Sequence, residues 1–226
     1  MIVQQLSSSE KIYQAVCERV SQFKDKLGLG VDPGIFDTVV ALNLAGLTTY
    51  QSCEGHLDHG SPYPWVTVID QETSRVFDTH WLRVCELEEQ AKEAGTQAAY
   101  DRWLAADVQL RLLITRAEQD SPFYHRLTSL LDAFYGYANA SGPLRLLVKK
   151  FRASGLYRIE PGFADSIDDI PERLKISYLE RGRAEMTAFA AFLKRQVFHE
   201  KLRPQRVIHA ADVLEQQSLL GDVLGN

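Results

Sequence analysis

TTYQSCEGHLDHGSPYPWVTVI, residues 48–69, is where the chain changes period. Thr48 to Ser52 are β-prone or short polar residues, and Trp65-Val66-Thr67-Val68-Ile69 is a β-rich run. Between them Gly60-Ser61-Pro62-Tyr63-Pro64 carries the glycine and prolines of a loop. The stretch therefore predicts two strands of one sheet, joined by a loop that begins at Cys53-Glu54-Gly55-His56.

Working outward, the flanks are helical. Ile12, Val16, Val20, Phe23 and Leu27 repeat at helical spacing, which predicts a helix over 9–27 with Ser9 as its N-cap. Asp32-Pro33 predicts the start of a second helix, with Ile35, Val39, Leu42 and Leu44 on its apolar face and Gly46 closing it. Residues 79–139 predict three helical pieces, separated at Gly95 and at Ser121-Pro122. A second β region follows, with 144–151 and 156–160 flanking Ala153-Ser154-Gly155 as a hairpin. A long helix should begin near Pro171 and bury Met186, Phe189, Leu193 and Val197, and 207–220 could form one more short helix. The expected class is α+β: a small sheet from two strand regions, about 47–70 and 144–161, covered by several long helices. Residues 1–226 suit a single domain with a helical subregion at about 79–140.

Composition narrows the class of function. Hydrophobic residues make up 45% and charged residues 24%, ordinary values for a soluble globular chain. Twenty-five Lys and Arg against thirty Asp and Glu give a formal charge of −5, which disfavours a nucleic-acid partner. No stretch approaches the roughly 18 apolar residues that span a bilayer, so no membrane role is expected. Residues 1–14 lack the basic and apolar segments of a secretory leader, and the cysteines are three: Cys17, Cys53 and Cys85. An odd count favours free thiols and a reducing cytoplasm.

The chemical signal lies in the loop. Cys53, His56 and His59 are spaced C-x2-H-x2-H, and thiolate with imidazole suits zinc or another borderline metal. Asp58 could be a fourth ligand or could orient an imidazole, and His80 and Cys85 would contribute only if the fold returned them. A second reading makes Cys53 a nucleophile whose thiolate His56 stabilises, with Glu54 as general acid or base. Ser52 and Gly55 would then contact substrate, Gly55 by allowing close backbone approach. A third reading buries Cys53 as a small hydrophobe and leaves the histidines to bond loop carbonyls.

Other positions have plainer explanations. Lys149, Lys150 and Arg152 could hold an anion, although lysines on an edge strand also discourage aggregation. Arg181 and Arg183 suit a solvated helix face, and Trp65, Trp81 and Trp103 suit the core. The chain has no G-x-G-x-x-G after a strand, no P-loop and no G-x-S-x-G, which disfavours dinucleotide-binding, nucleotide-hydrolysing and α/β-hydrolase folds.

The run from Asp32 to Pro64 resembles a group of uncharacterised bacterial and phage proteins. That group shares an aspartate-led helix with a Leu-Asn pair, then T-x-x-S-C-E-G-H and a proline-rich turn. The matching residues are Asp32, Leu42, Asn43, Gly46, Thr49, Ser52, Cys53, Glu54, Gly55 and His56. Ser52, Cys53 and Gly55 are also similar to the S-C-x-G-R segment of the wybutosine-synthesis methyltransferases of transfer RNA, with His56 where that family has arginine. That second likeness would imply RNA and S-adenosylmethionine as partners.

The functional expectation is a cytoplasmic protein with a small-molecule or metal site at S-C-E-G-H-x-x-H, with zinc as the cofactor to test. Its rivals are a non-enzymatic homo-oligomeric interaction protein, in which the loop is structural, and a tRNA-modification enzyme with a basic groove near Lys149, Lys150 and Arg152.

Overall fold

The computed structural model describes residues 7–119, 121–137, 142–151 and 155–199. Six helices and four strands are described: α1 (Ser8–Ser21), α2 (Pro33–Leu44), β1 (Thr49–Cys53), β2 (Trp65–Ile69), α3 (Gln71–Ala94), α4 (Gln97–Gln119), α5 (Pro122–Tyr137), β3 (Leu146–Phe151), β4 (Leu156–Pro161) and α6 (Glu172–His199). The two strand regions form one antiparallel sheet in the order β1-β2-β4-β3, so β2 and β4 join them. The class is α+β, as the sequence predicts. No helix among the described residues is long and apolar enough to cross a membrane.

One face of the sheet is apolar. Val66, Val68, Leu146, Tyr157 and Ile159 are buried together with Leu127, Leu131 and Phe134 of α5 and Met186, Phe189 and Leu193 of α6. Helix α2 runs through this core. Ile35 and the whole run Thr38–Leu42 are buried, while Pro33, Gly34 and Asp37 stay exposed, and the helix packs mainly on α6. Its one buried hydroxyl, on Thr38, donates to the Met186 carbonyl at 3.3 Å. The helix ends in a Schellman turn: Gly46 takes φ +74°, with Gly46 N–H bonded to Asn43 O and Leu47 N–H to Leu42 O. Asn43 then donates to Thr49 Oγ1 at 2.8 Å, tying the helix to the first residue of β1.

Helix α1 departs from its expected bounds at both ends. Ser7 and Glu10 form a capping box, which starts the helix earlier than a Ser9 cap would. At the other end the Asp25 carboxylate accepts from Leu27 N–H at 2.9 Å and Leu29 N–H at 2.8 Å. This local side-chain acceptor outcompetes the helix, and Leu27, expected on the buried face, is 82% exposed.

The helical middle begins directly after β2. Asp70 caps α3: its Oδ1 accepts from the N–H groups of Glu72 and Thr73, while its Oδ2 accepts from the hydroxyls of Thr73 and Ser121. Helices α3 and α4 share a small core of Val84, Leu110 and Ile114, packed by Phe77, Trp81 and Trp103, whereas α5 belongs to the main core. On α4, Tyr100, Leu104, Val108 and Leu112 form an exposed i, i+4 row. Of the expected hairpin turn, residues 152–154 lie outside the described residues, as does 207–220.

Tyr135 pins three elements. Its hydroxyl donates to Glu185 Oε1 at 2.8 Å and accepts from Leu146 N–H at 2.6 Å, so α5, α6 and the start of β3 meet at one oxygen. Burial first, and then the bond to Glu185, push this phenol well above its ordinary 10.0. A raised folded value means the contribution is complete below pH 10.0 and lost as pH climbs toward that value. Tyr135→Phe should therefore cost about 1–3 kcal/mol at neutral pH, because it strands a backbone N–H. In denaturant unfolding the gap between wild type and variant should narrow above pH 10.0.

Candidate metal centre

Cys53 is the last residue of β1 and pairs with Trp65 across the β1–β2 ladder. Strand alternation puts its side chain on the Trp65 face, and Ser52 on the opposite face with Val66. The chain then turns at Gly55, φ +87°, whose N–H donates to Cys53 Sγ at 3.3 Å. His56 N–H bonds Ser61 O at 2.7 Å and closes the loop beneath the two histidines.

The decisive arrangement is an exchange of carboxylates. Asp32 occupies the N-cap position of α2, yet its side chain makes no capping bond to that helix. Glu54 caps instead, with Oε2 accepting from Gly34 N–H at 2.6 Å. A Cβ on Gly34 would stand 2.6 Å from that oxygen, so glycine is what lets the carboxylate reach the helix end. Asp32 Oδ2 is thereby free to accept from Glu54 N–H at 3.2 Å and to face His56 Nε2 at 3.5 Å. Asp32, Cys53 and His56, all half-buried, hold ligand atoms within 4.8 Å of one another.

Helix α6 clamps the loop from the other side. Arg183 donates from Nε to Glu54 O at 2.9 Å and from its terminal nitrogen to Gly55 O at 2.6 Å, and it pairs with Glu54 Oε1 at 3.4 Å. Both Glu54 oxygens are engaged, one by a helix end and one by a guanidinium. This geometry suits a brace better than a proton shuttle. Gly55 is buried against the chain itself: a Cβ there would lie 2.5 Å from Leu179 Cδ1 and 2.8 Å from the Tyr63 carbonyl carbon. The close approach that Gly55 permits is thus to Leu179 and Tyr63.

Burial pushes the Cys53 thiol above its ordinary value, and the Asp32 and Glu54 carboxylates push the same way against the N–H groups of Gly55 and Ser61. An activated cysteine nucleophile needs the opposite shift.

Of the residues that the spacing groups as ligands, the fold brings Cys53 and His56 together with Asp32. His59 falls in a second cluster, with His56 and Asp58. Its ring stacks on His56 at 4.2 Å and 19°, and its Nδ1 lies 2.8 Å from Asp58 Oδ1. His80 and Cys85, on α3, join no cluster of three ligand groups among the described residues. No protein-family model, curated protein or solved structure matches this chain.

The other candidates have internal partners. Lys149 pairs with Glu160 and Asp165, Lys150 pairs with Glu118, and Arg152 lies outside the described residues. Trp65 lies under the Arg158 guanidinium at 4.2 Å and donates to Ser61 Oγ at 3.1 Å. Two site residues escape the motif reading. Asp32 reads as a helix cap, its signal being its place at the head of the run that carries the resemblance. Arg183 reads as solvated surface and has no local signal, because its contacts lie 128 and 129 residues away.

Gly55→Ala should lower unfolding free energy by about 2 kcal/mol or more, combining left-handed backbone strain with a backbone clash. Gly60→Ala is the matched control: Gly60 has φ +68° and a methyl added there would meet nothing within 4 Å, so only the conformational cost of about 1 kcal/mol should appear. Equal costs in urea titrations would mean that the packing at Gly55 contributes nothing.

Proposed function

We propose that the protein binds one divalent cation of the zinc type through the Asp32 carboxylate, Cys53 Sγ and His56 Nε2, and offers its open fourth position to a small-molecule substrate. The spacing of Asp32 and His56 carries this reading. At 3.5 Å their facing atoms are beyond the ~3.2 Å of a good hydrogen bond. Two ligands each about 2.0–2.1 Å from a tetrahedral zinc ion stand about 3.4 Å apart, close to the separation found. Thiolate, imidazole and carboxylate together favour zinc over a hard cation, and three protein ligands are the pattern of a reactive rather than a closed site. A cation there would polarise a bound carbonyl or acidify a bound water, which makes metal-assisted hydrolysis the reaction class to screen.

All three ligand side chains come from one chain, so this reading needs no second copy to complete the site. The interaction-protein alternative rests on the exposed row of α4. The tRNA alternative needs a basic groove, and Lys149 and Lys150 are engaged with carboxylates.

Elemental mass spectrometry on tag-free protein, purified without chelator, tests the proposal. Wild type should carry close to one equivalent of zinc. Asp32→Asn, Cys53→Ala and His56→Ala should each lose most of it while keeping the wild-type circular dichroism spectrum. Metal-free wild type that also fails to take up added zinc would sink the reading.

A further inference from the structure

We infer that α4 carries a self-association surface: two copies of this chain pair their α4 helices antiparallel, about a two-fold axis level with Ala106. This inference is independent of the metal reading above.

Helix α4 has two apolar faces. Leu110 and Ile114 are buried, and with half-buried Trp103 and Ala106 they pack in the small core shared with α3. Tyr100, Leu104, Val108 and Leu112 are 41%, 52%, 45% and 66% exposed. At 100° per residue, the centre of this row lies roughly 135° round the helix from the centre of the α3-facing set. A surface helix needs one apolar stripe, with polar residues opposite. A helix that is apolar on two opposed sides belongs between two neighbours, and among the described residues α4 packs mainly on one, α3. The core those two helices share centres on three buried side chains, Val84, Leu110 and Ile114, although the helices are 24 and 23 residues long. A second neighbour would bury the row that α3 leaves in water.

The charges beside the row decide the occupant. Asp101 and Arg111 are both exposed and stand five residues on either side of Ala106. Leu104 and Val108 stand two residues on either side of it, and Tyr100 and Leu112 six. A two-fold axis at that level sets Leu104 level with Val108 of the second copy, Tyr100 with its Leu112, and Asp101 with its Arg111. Each of these pairs then occurs twice. Within one chain both charges are held by neighbours on α4 itself: Gln97 donates to Asp101 Oδ1 at 2.8 Å, and Arg111 pairs with Asp107 at 2.8 Å. A parallel pair would bring Asp101 beside Asp101 and Arg111 beside Arg111, with both helix dipoles pointing the same way. The row is therefore self-complementary in one direction, which is what a two-fold interface requires and an unrelated partner does not.

The size of the face sets the strength. Two 23-residue helices overlap along about 35 Å, one helix or ~10 Å wide. Such a contact covers on the order of 400 Å² per copy, below the ~800 Å² of a standard interface. The dimer is accordingly a reversible one that forms at micromolar concentrations.

Sedimentation velocity on the full chain at roughly 1–100 μM tests this. The average mass should rise with concentration from that of the 25.5 kDa monomer toward twice that value. Leu104→Glu and Leu112→Glu each place two charges in the paired face and should weaken association by at least about tenfold, with the circular dichroism spectrum unchanged. Asp101→Arg and Arg111→Asp should each weaken it by about fivefold, and the double variant that carries both should return within about twofold of wild type. A wild type that stays monomeric over the whole range would overturn the inference. Association unmoved by Leu104→Glu would also overturn it, by placing the contact elsewhere. A double variant no better than either single one would overturn the antiparallel pairing. The zinc content of all these variants should match wild type, so loss of the dimer and loss of the metal centre are read separately.

Discussion

The first N–H groups of α2 have no acceptor within the helix, and the 2.6 Å bond from Gly34 to Glu54 meets one of them. The acceptor comes from the loop after β1, so the helix start and the loop are positioned together. The backbone turns at Gly55, and the ligand atoms of Asp32, Cys53 and His56 lie within 4.8 Å of one another. Had Asp32 capped its own helix, its carboxylate would be spent locally. The exchange places an ordinary capping residue in the candidate ligand cluster.

Charge follows the same geometry. Three acidic groups, Asp32, Glu54 and Asp58, lie within a few residues of the thiol or across from it. Arg183 bonds to the Glu54 side of this group, through two carbonyls and one carboxylate oxygen. The Asp32 carboxylate lies beside a sulfur and an imidazole, a donor set that could coordinate a metal ion.

A second carboxylate joins the helical arm to the sheet. Asp70 collects two backbone N–H groups and two hydroxyls, the last from Ser121 at the start of α5. Gly155, at the start of β4, comes so close that a Cβ would lie 2.8 Å from Ser74 N and 2.9 Å from Asp70 O. The paired helices α3 and α4 are thus anchored at one end, and pack their own small core beyond it.

Periodicity and turn chemistry determined the class of this protein by themselves. The change of period at Thr48, the Asp32-Pro33 helix start and the Gly46 and Gly95 stops are local signals, because propensity, capping and left-handed turns act within a few residues. The two missed bounds of α1 were local too, since the S-x-x-E box at Ser7 and the Asp25 turn lie open in the chain. The candidate site was legible in half: Cys53 and His56 stand three residues apart, within reach of any spacing argument. That Asp32 joins them, that Glu54 meets the start of α2, and that Arg183 reaches in from α6 were decided only by tertiary packing. Those contacts span 20 to 129 residues, and no local rule chooses between two carboxylates competing for the same helix end.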